Sequence, residues 1–320
     1  MTTLLAVFAA LLGLIFGSVA TMAAHRIPLR ASLNGRSKCP ACGHTITAGE
    51  NIPVLSYLMQ RGRCRHCGAG ISMRYPLIEI LTAVLFVLAA LRFGPSLRAG
   101  IYAAFFWVLV MLSVIDLEHR LLPDRVVFTA LAAGSLLLLA DAVSEGGFGR
   151  MTGVVVASVA IVGALLWVLA PRRRPPSGSE NLSASSLLGL GFVLAWMCFV
   201  GFGIIDGPQT SISGALVGAA VFAGFFLAVT LLVPQGMGGG DVKLGLLLGI
   251  FLGYLGAPGL VLVAMFMAFL LGSLVSVVVL LAGGSRKSAI PFGPFLSLGA
   301  VVSVLVGDRV IDLYLGLGAG

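Results

Sequence analysis

The chain has 320 residues, of which 59% are hydrophobic and only 10% charged, and its mean hydropathy is +1.09. Soluble domains carry about 25% charged residues, so a water-soluble fold is excluded, as are collagen-like and disordered chains, which need a G-X-Y repeat or a hydrophilic tract. The net charge of +8 raises nucleic-acid binding, but most Lys and Arg residues lie between apolar runs, where they set membrane orientation; a lipid bilayer is the expected partner, and nucleic acid is not.

In chain order, the first apolar run covers about 2–24. Its leading residues carry no Lys or Arg, and His25-Arg26 follow it rather than precede it, so it reads as a retained helix and not a secretory signal. Further runs lie near 77–93, 99–116, 126–142, 151–170, 185–205, 213–233, 244–256, 260–282 and 290–307. The expected fold is therefore an all-α polytopic membrane protein with about ten spans, of which 244–256 is short. The 43 glycines favour close packing of those helices. With the N-terminus outside, the loops 25–76, 117–125, 171–184, 234–243 and 283–289 are cytoplasmic and hold sixteen of the 20 Lys and Arg residues, which fixes the orientation.

The loop 25–76 is the one soluble segment large enough to fold, and a piece this small needs a staple. Cys39-Pro-Ala-Cys42-Gly43 and Cys64-Arg-His-Cys67-Gly68 are matching C-x-x-C-G knuckles with 21 residues between them, the pattern of a four-cysteine zinc ribbon. The glycine after each pair permits a tight turn that aims backbone N–H groups at the thiolates. Four sulfurs leave no open coordination position, so the zinc is expected to be structural. His44 and His66 read as solvated neighbours and Cys198 as a small buried hydrophobe.

Only 12 residues are acidic, and an ionisable group at membrane depth is a candidate for function. Asp116 ends an apolar run at the cytoplasmic boundary of its helix. Asp241 follows Gly238-Gly239-Gly240 and precedes Lys243 on the same membrane face. Two carboxylates at one depth suit aspartyl hydrolysis: like charges in contact cannot both ionise, so one donates a proton while the other activates water. Glycines before Asp241, Gly238 and Gly240 among them, would let an extended substrate backbone approach. The structural alternatives are an N-cap for Asp241 and a solvated helix end for Asp116. Asp124 reads as an N-cap, Glu118 as interfacial, Glu79 as either an ion pair with a ribbon arginine or a substrate contact, and Asp141 as lying on the outer side.

Ordered motifs carry a family resemblance. Gly17-Ser18 and His25-Arg26-Ile27-Pro28, the twin C-x-x-C, and the stretches Glu50–Tyr57 and Arg74–Glu79 come first. Ile115–Asp124, Gly238-Gly239-Gly240-Asp241-Val242-Lys243-Leu244 and Ile290-Pro291-Phe292-Gly293-Pro294 follow. Together they resemble the bacterial prepilin peptidases, membrane aspartyl proteases of the G-x-G-D type. The resemblance implies that Asp116 and Asp241 form the catalytic pair, that prepilins or pseudopilins are cut after the Gly of a basic leader at the cytoplasmic face of the inner membrane, and that S-adenosylmethionine serves any later N-methylation. The expected organisation is a first helix (1–24), the zinc ribbon (25–76), a catalytic helical domain (77–307) containing an inserted helix pair (145–210), and a tail (308–320). The rival from another class is a proton- or ion-coupled transporter or membrane adaptor, for which the short 244–256 run would be a broken helix.

Overall fold

The computed structural model describes residues 2–144, 211–232, 238–256, 258–282 and 291–318. Nine α-helices run in order among them: α1 (Thr2–Arg26), α2 (Leu55–Met59), α3 (Arg74–Phe93), α4 (Leu97–His119), α5 (Asp124–Ser144), α6 (Ser211–Leu232), α7 (Gly239–Gly256), α8 (Gly259–Leu281) and α9 (Gly293–Gly318). All but α2 are long and apolar enough to cross a membrane, giving eight candidate spans among the described residues. The expected runs 151–170 and 185–205 lie outside those residues. The fold is the expected one, an all-helical membrane protein with a four-cysteine cluster in its first large loop.

Two boundaries differ from expectation. The short run 244–256 is a full 18-residue helix beginning at Gly239, because Gly239, Gly240, Asp241 and Lys243 lower hydropathy without breaking helical geometry. This removes the broken helix that favoured a transporter. The last helix continues past 307 to Gly318, so the segment expected as a tail is helical through that residue.

The chain divides into two compact units, one comprising Met1–Val126 and Met267–Leu305, the other Val127–Phe266 and Val306–Gly320. In the first, α1, α3 and α4 pack together. Ala9, Gly13, Gly17, Ala20 and Ala24 form a buried small-residue stripe along α1. A Cβ on Gly13 would lie 2.5 Å from the Ala83 Cα, and one on Gly17 2.6 Å from the Glu79 Cα, so α1 and α3 meet backbone to backbone. Beside this seam, the Trp107 indole N–H of α4 donates to the Phe16 carbonyl at 2.8 Å and its ring meets Phe16 edge-on. Gly94, at φ +65°, ends α3, and Ser96 caps the start of α4 by accepting from the Ala99 N–H.

In the second unit, α6 and α7 form a similar seam. Gly245, Gly249 and Gly253 recur every four residues on α7 and face Gly214, Gly218, Ala219 and Phe222 of α6. Gly134 of α5 leaves room for the Phe251 ring of α7.

Candidate active site and metal centre

Asp116 stands in the last turn of α4, which ends when Arg120 adopts a left-handed conformation and donates its N–H to the Asp116 carbonyl at 2.8 Å. Its side chain is 7% exposed, so the alternative of a solvated helix end does not hold. The Asp116 Oδ2 accepts a buried hydrogen bond from the Gly293 N–H at 3.0 Å. Gly293 opens α9, where the first N–H groups have no partner within the helix and the dipole favours negative charge. A Cβ on Gly293 would sit 2.6 Å from that same oxygen, so any side chain there would push the Asp116 carboxylate aside. Phe292 holds the turn in place: its ring packs on Phe269 at 5.3 Å and fills the space over Gly272. Sequence reading did not single out Gly293 as a site residue. The signal was present in Ile290-Pro291-Phe292-Gly293-Pro294, but the partner lies 177 residues away.

Asp241 lies half-buried in the first turn of α7 and donates its N–H to the Gly238 carbonyl at 3.1 Å. The N-cap position therefore belongs to Gly238, and the Asp241 carboxylate lies where the helix N-terminus favours negative charge. Gly238 and Gly239 are exposed, and among the described residues a Cβ on Gly238 would come within 4 Å of the Gly240 nitrogen alone, at 3.9 Å. Lys243 stacks over the Phe128 ring at 5.9 Å. Asp116 belongs to the first unit and Asp241 to the second.

Four other acids among the described residues are engaged elsewhere. Arg74 pairs with Glu118 at 2.8 Å and not with Glu79. Glu79, 8% exposed in the second turn of α3, accepts from the Val54 N–H at 2.8 Å and thereby ties the ribbon to a membrane helix. Asp141 accepts from the Tyr254 hydroxyl at 2.8 Å, a buried bond between α5 and α7. Glu50 closes a capping box with Thr47, whose N–H and hydroxyl hold its carboxyl below the usual range.

The ribbon is two near-copies of one turn. The Cys39 N–H donates to the His44 carbonyl and the Gly43 N–H to the Cys39 carbonyl, each at 2.9 Å. In the second knuckle the Cys64 N–H meets the Ala69 carbonyl at 2.8 Å, and the Gly68 N–H meets the Cys64 carbonyl at 2.9 Å. Gly43 and Gly68 sit at φ +72° and +73°, the turn expected of each C-x-x-C-G. The four Sγ atoms of Cys39, Cys42, Cys64 and Cys67 lie within 4.8 Å of one another, with Cys39 and Cys67 3.9 Å apart. Tetrahedral coordination with bonds of about 2.3 Å separates sulfurs by about 3.8 Å, so the cluster fits one metal ion. Backbone N–H groups of Cys42 and Ala41 draw the Cys39 thiol down to about 7. For Cys42, the N–H of His44 acts in the same direction but is outweighed by desolvation and the neighbouring thiols, which push it up to about 11. His44 and His66 stack on each other at 4.3 Å beside the cluster.

The bacterial peptidase A24 N-terminal domain family matches residues 11–93, which take in most of α1, the ribbon and α3. A prepilin leader peptidase/N-methyltransferase of Bacillus subtilis is 31% identical over 312 residues, covering 96% of this chain and 97% of the relative. The chain belongs to the prepilin leader peptidase/N-methyltransferase family. An Aeromonas hydrophila member is 32% identical over 281 residues, covering 88% of this chain and 74% of its own length. One from Pseudomonas aeruginosa is 29% identical over 330 residues, covering 95% and 91%. No solved structure matches. Like its relatives, the chain is thus an enzyme embedded in a membrane by several helices.

Proposed function

We propose that this enzyme removes the leader of prepilins or pseudopilins at the cytoplasmic face of the bacterial inner membrane, using Asp116 and Asp241 as an acid–base pair. The buried Asp116 carboxylate, received by the Gly293 N–H in a chain of this family, carries the reading. One carboxylate takes a proton from water as the water oxygen attacks the carbonyl carbon of the leader Gly. The other, protonated, gives its proton to the departing amide nitrogen. Neither residue is assigned one of the two roles. Gly238 and Gly240 leave the substrate backbone room beside Asp241, and the apolar helix after the cut would remain in the bilayer.

The four cysteines would hold zinc, which would supply folding energy to the ribbon and take no part in hydrolysis. The second activity named for the relatives would use S-adenosylmethionine to methylate the amine that cleavage exposes.

The test is cleavage of a prepilin-like peptide by purified, reconstituted protein. A cut after Gly is expected, lost by roughly 10⁴-fold in Asp116→Asn and in Asp241→Asn, with insertion and metal content unchanged. Substantial activity in either variant removes that residue from the mechanism.

A further inference from the structure

The ribbon carries a surface that neither the metal nor the proposed chemistry uses. Helix α2 turns Tyr57 inward against Gly62 and exposes Leu55, Leu58 and Met59, which share one face at i, i+3 and i+4. Leu58 is 65% exposed and Met59 63%, and Ile52 extends the apolar patch one turn earlier. Leu29 and Leu33, where the ribbon leaves α1, and Met73, where it enters α3, are exposed as well. Large apolar side chains exposed together in so short a segment mark a contact with a partner or a membrane.

The depth of α2 favours the membrane. Val54 immediately precedes it, and the Val54 N–H is bonded to Glu79, about 7.5 Å along α3 from Arg74 at 1.5 Å per residue. Val54 also lines an apolar groove of about 430 Å³ with Ala10 and Leu14 of α1 and Ile80 and Val84 of α3. It does so at φ +61° and ψ −51°, a conformation that β-branched residues avoid, so the buried carboxylate holds this loop against its own preference. The apolar face of α2 is thereby kept level with the start of a membrane span.

Charge supports the same placement. Arg61, Arg63 and Arg65 follow α2, all exposed, and the ribbon's one acid, Glu50, is engaged by Thr47. We infer that α2 is an interfacial anchor: Leu55, Leu58 and Met59 enter the boundary between headgroups and acyl chains of an anionic bilayer, and the following arginines meet lipid phosphates.

The inference is tested on the full chain with p-benzoylphenylalanine in place of Leu58. The protein is reconstituted into vesicles of phosphatidylethanolamine and phosphatidylglycerol and irradiated with and without a prepilin-like peptide. Lipid photoproducts are expected in both cases. Phosphatidylglycerol should be over-represented roughly fivefold relative to its share of the bilayer, falling to that share in the Arg61→Gln/Arg63→Gln variant. A photoproduct with the peptide or with a second copy of the chain, or none at all, overturns the anchor. Lipid photoproducts without the enrichment overturn the part given to the arginines.

Discussion

A single backbone donor decides how Asp116 is held. The Gly293 N–H reaches its Oδ2, and no room remains for a Cβ at that position. Gly293→Ala must therefore displace the carboxylate. Misplacement of a reacting group by about 1 Å costs on the order of a hundredfold in rate, so kcat for leader cleavage should fall by about that factor with KM little changed. Unaltered kcat in the Ala variant would separate Gly293 from the chemistry. Asp116 itself was legible from its place at the end of an apolar run and from the motif around it. Its burial and its donor were not, because both depend on a turn far along the chain. Glu79 presents the same limit: its position inside a span was visible, but sequence offered a ribbon arginine or a substrate as its partner, where folding supplied the main-chain N–H of Val54.

Among elements, the clearest economy is the use of glycine as a contact surface. On α7, Gly249 and Gly253 meet the backbone of α6, and a Cβ on Gly249 would lie 2.7 Å from the Ala219 Cα. Gly249→Leu should destabilise the detergent-solubilised protein by about 1–3 kcal/mol, read by thermal unfolding, because neither helix can recede without opening the seam. The abundance of glycine announced close packing, but only the pairing of α6 with α7 shows which glycines perform it. The same composition hid the start of α7, since hydropathy counted two glycines, an acid and a lysine as loop. In the ribbon, spacing alone gave the knuckles and their left-handed glycines, since the turn is local. Its metal affinity should rise with pH. Zinc takes thiolates, whereas the metal-free cluster keeps protons, on Cys42 up to about 11 and on Cys39 until about 7. Calorimetry in buffers of differing ionisation enthalpy should therefore detect proton release on zinc binding, diminishing as the pH rises through the Cys39 value. Release that does not change with pH would refute the assignment.

For the whole molecule, the asymmetry of Lys and Arg predicts one topology, with the ribbon inside the cell. A membrane-impermeant maleimide should leave Cys39, Cys42, Cys64 and Cys67 unlabelled in intact spheroplasts and label them in inverted vesicles once the metal has been chelated. Labelling from outside would reverse the orientation and with it the face at which a leader could be cut. Eight of the expected spans lie among the described residues, in the expected order, and were readable because nearly every run is long and apolar. The helix beyond 307 was not, because Asp308, Arg309 and Asp312 interrupt its hydropathy without interrupting its hydrogen bonds.

The clasp between α1 and α3 reaches further than packing. Gly13 and Gly17 hold the two ends of the ribbon together inside the bilayer by contacts that involve no metal. A cell starved of zinc would then keep an inserted bundle with a slack cytoplasmic loop, anchored at both ends, that closes again when the metal returns.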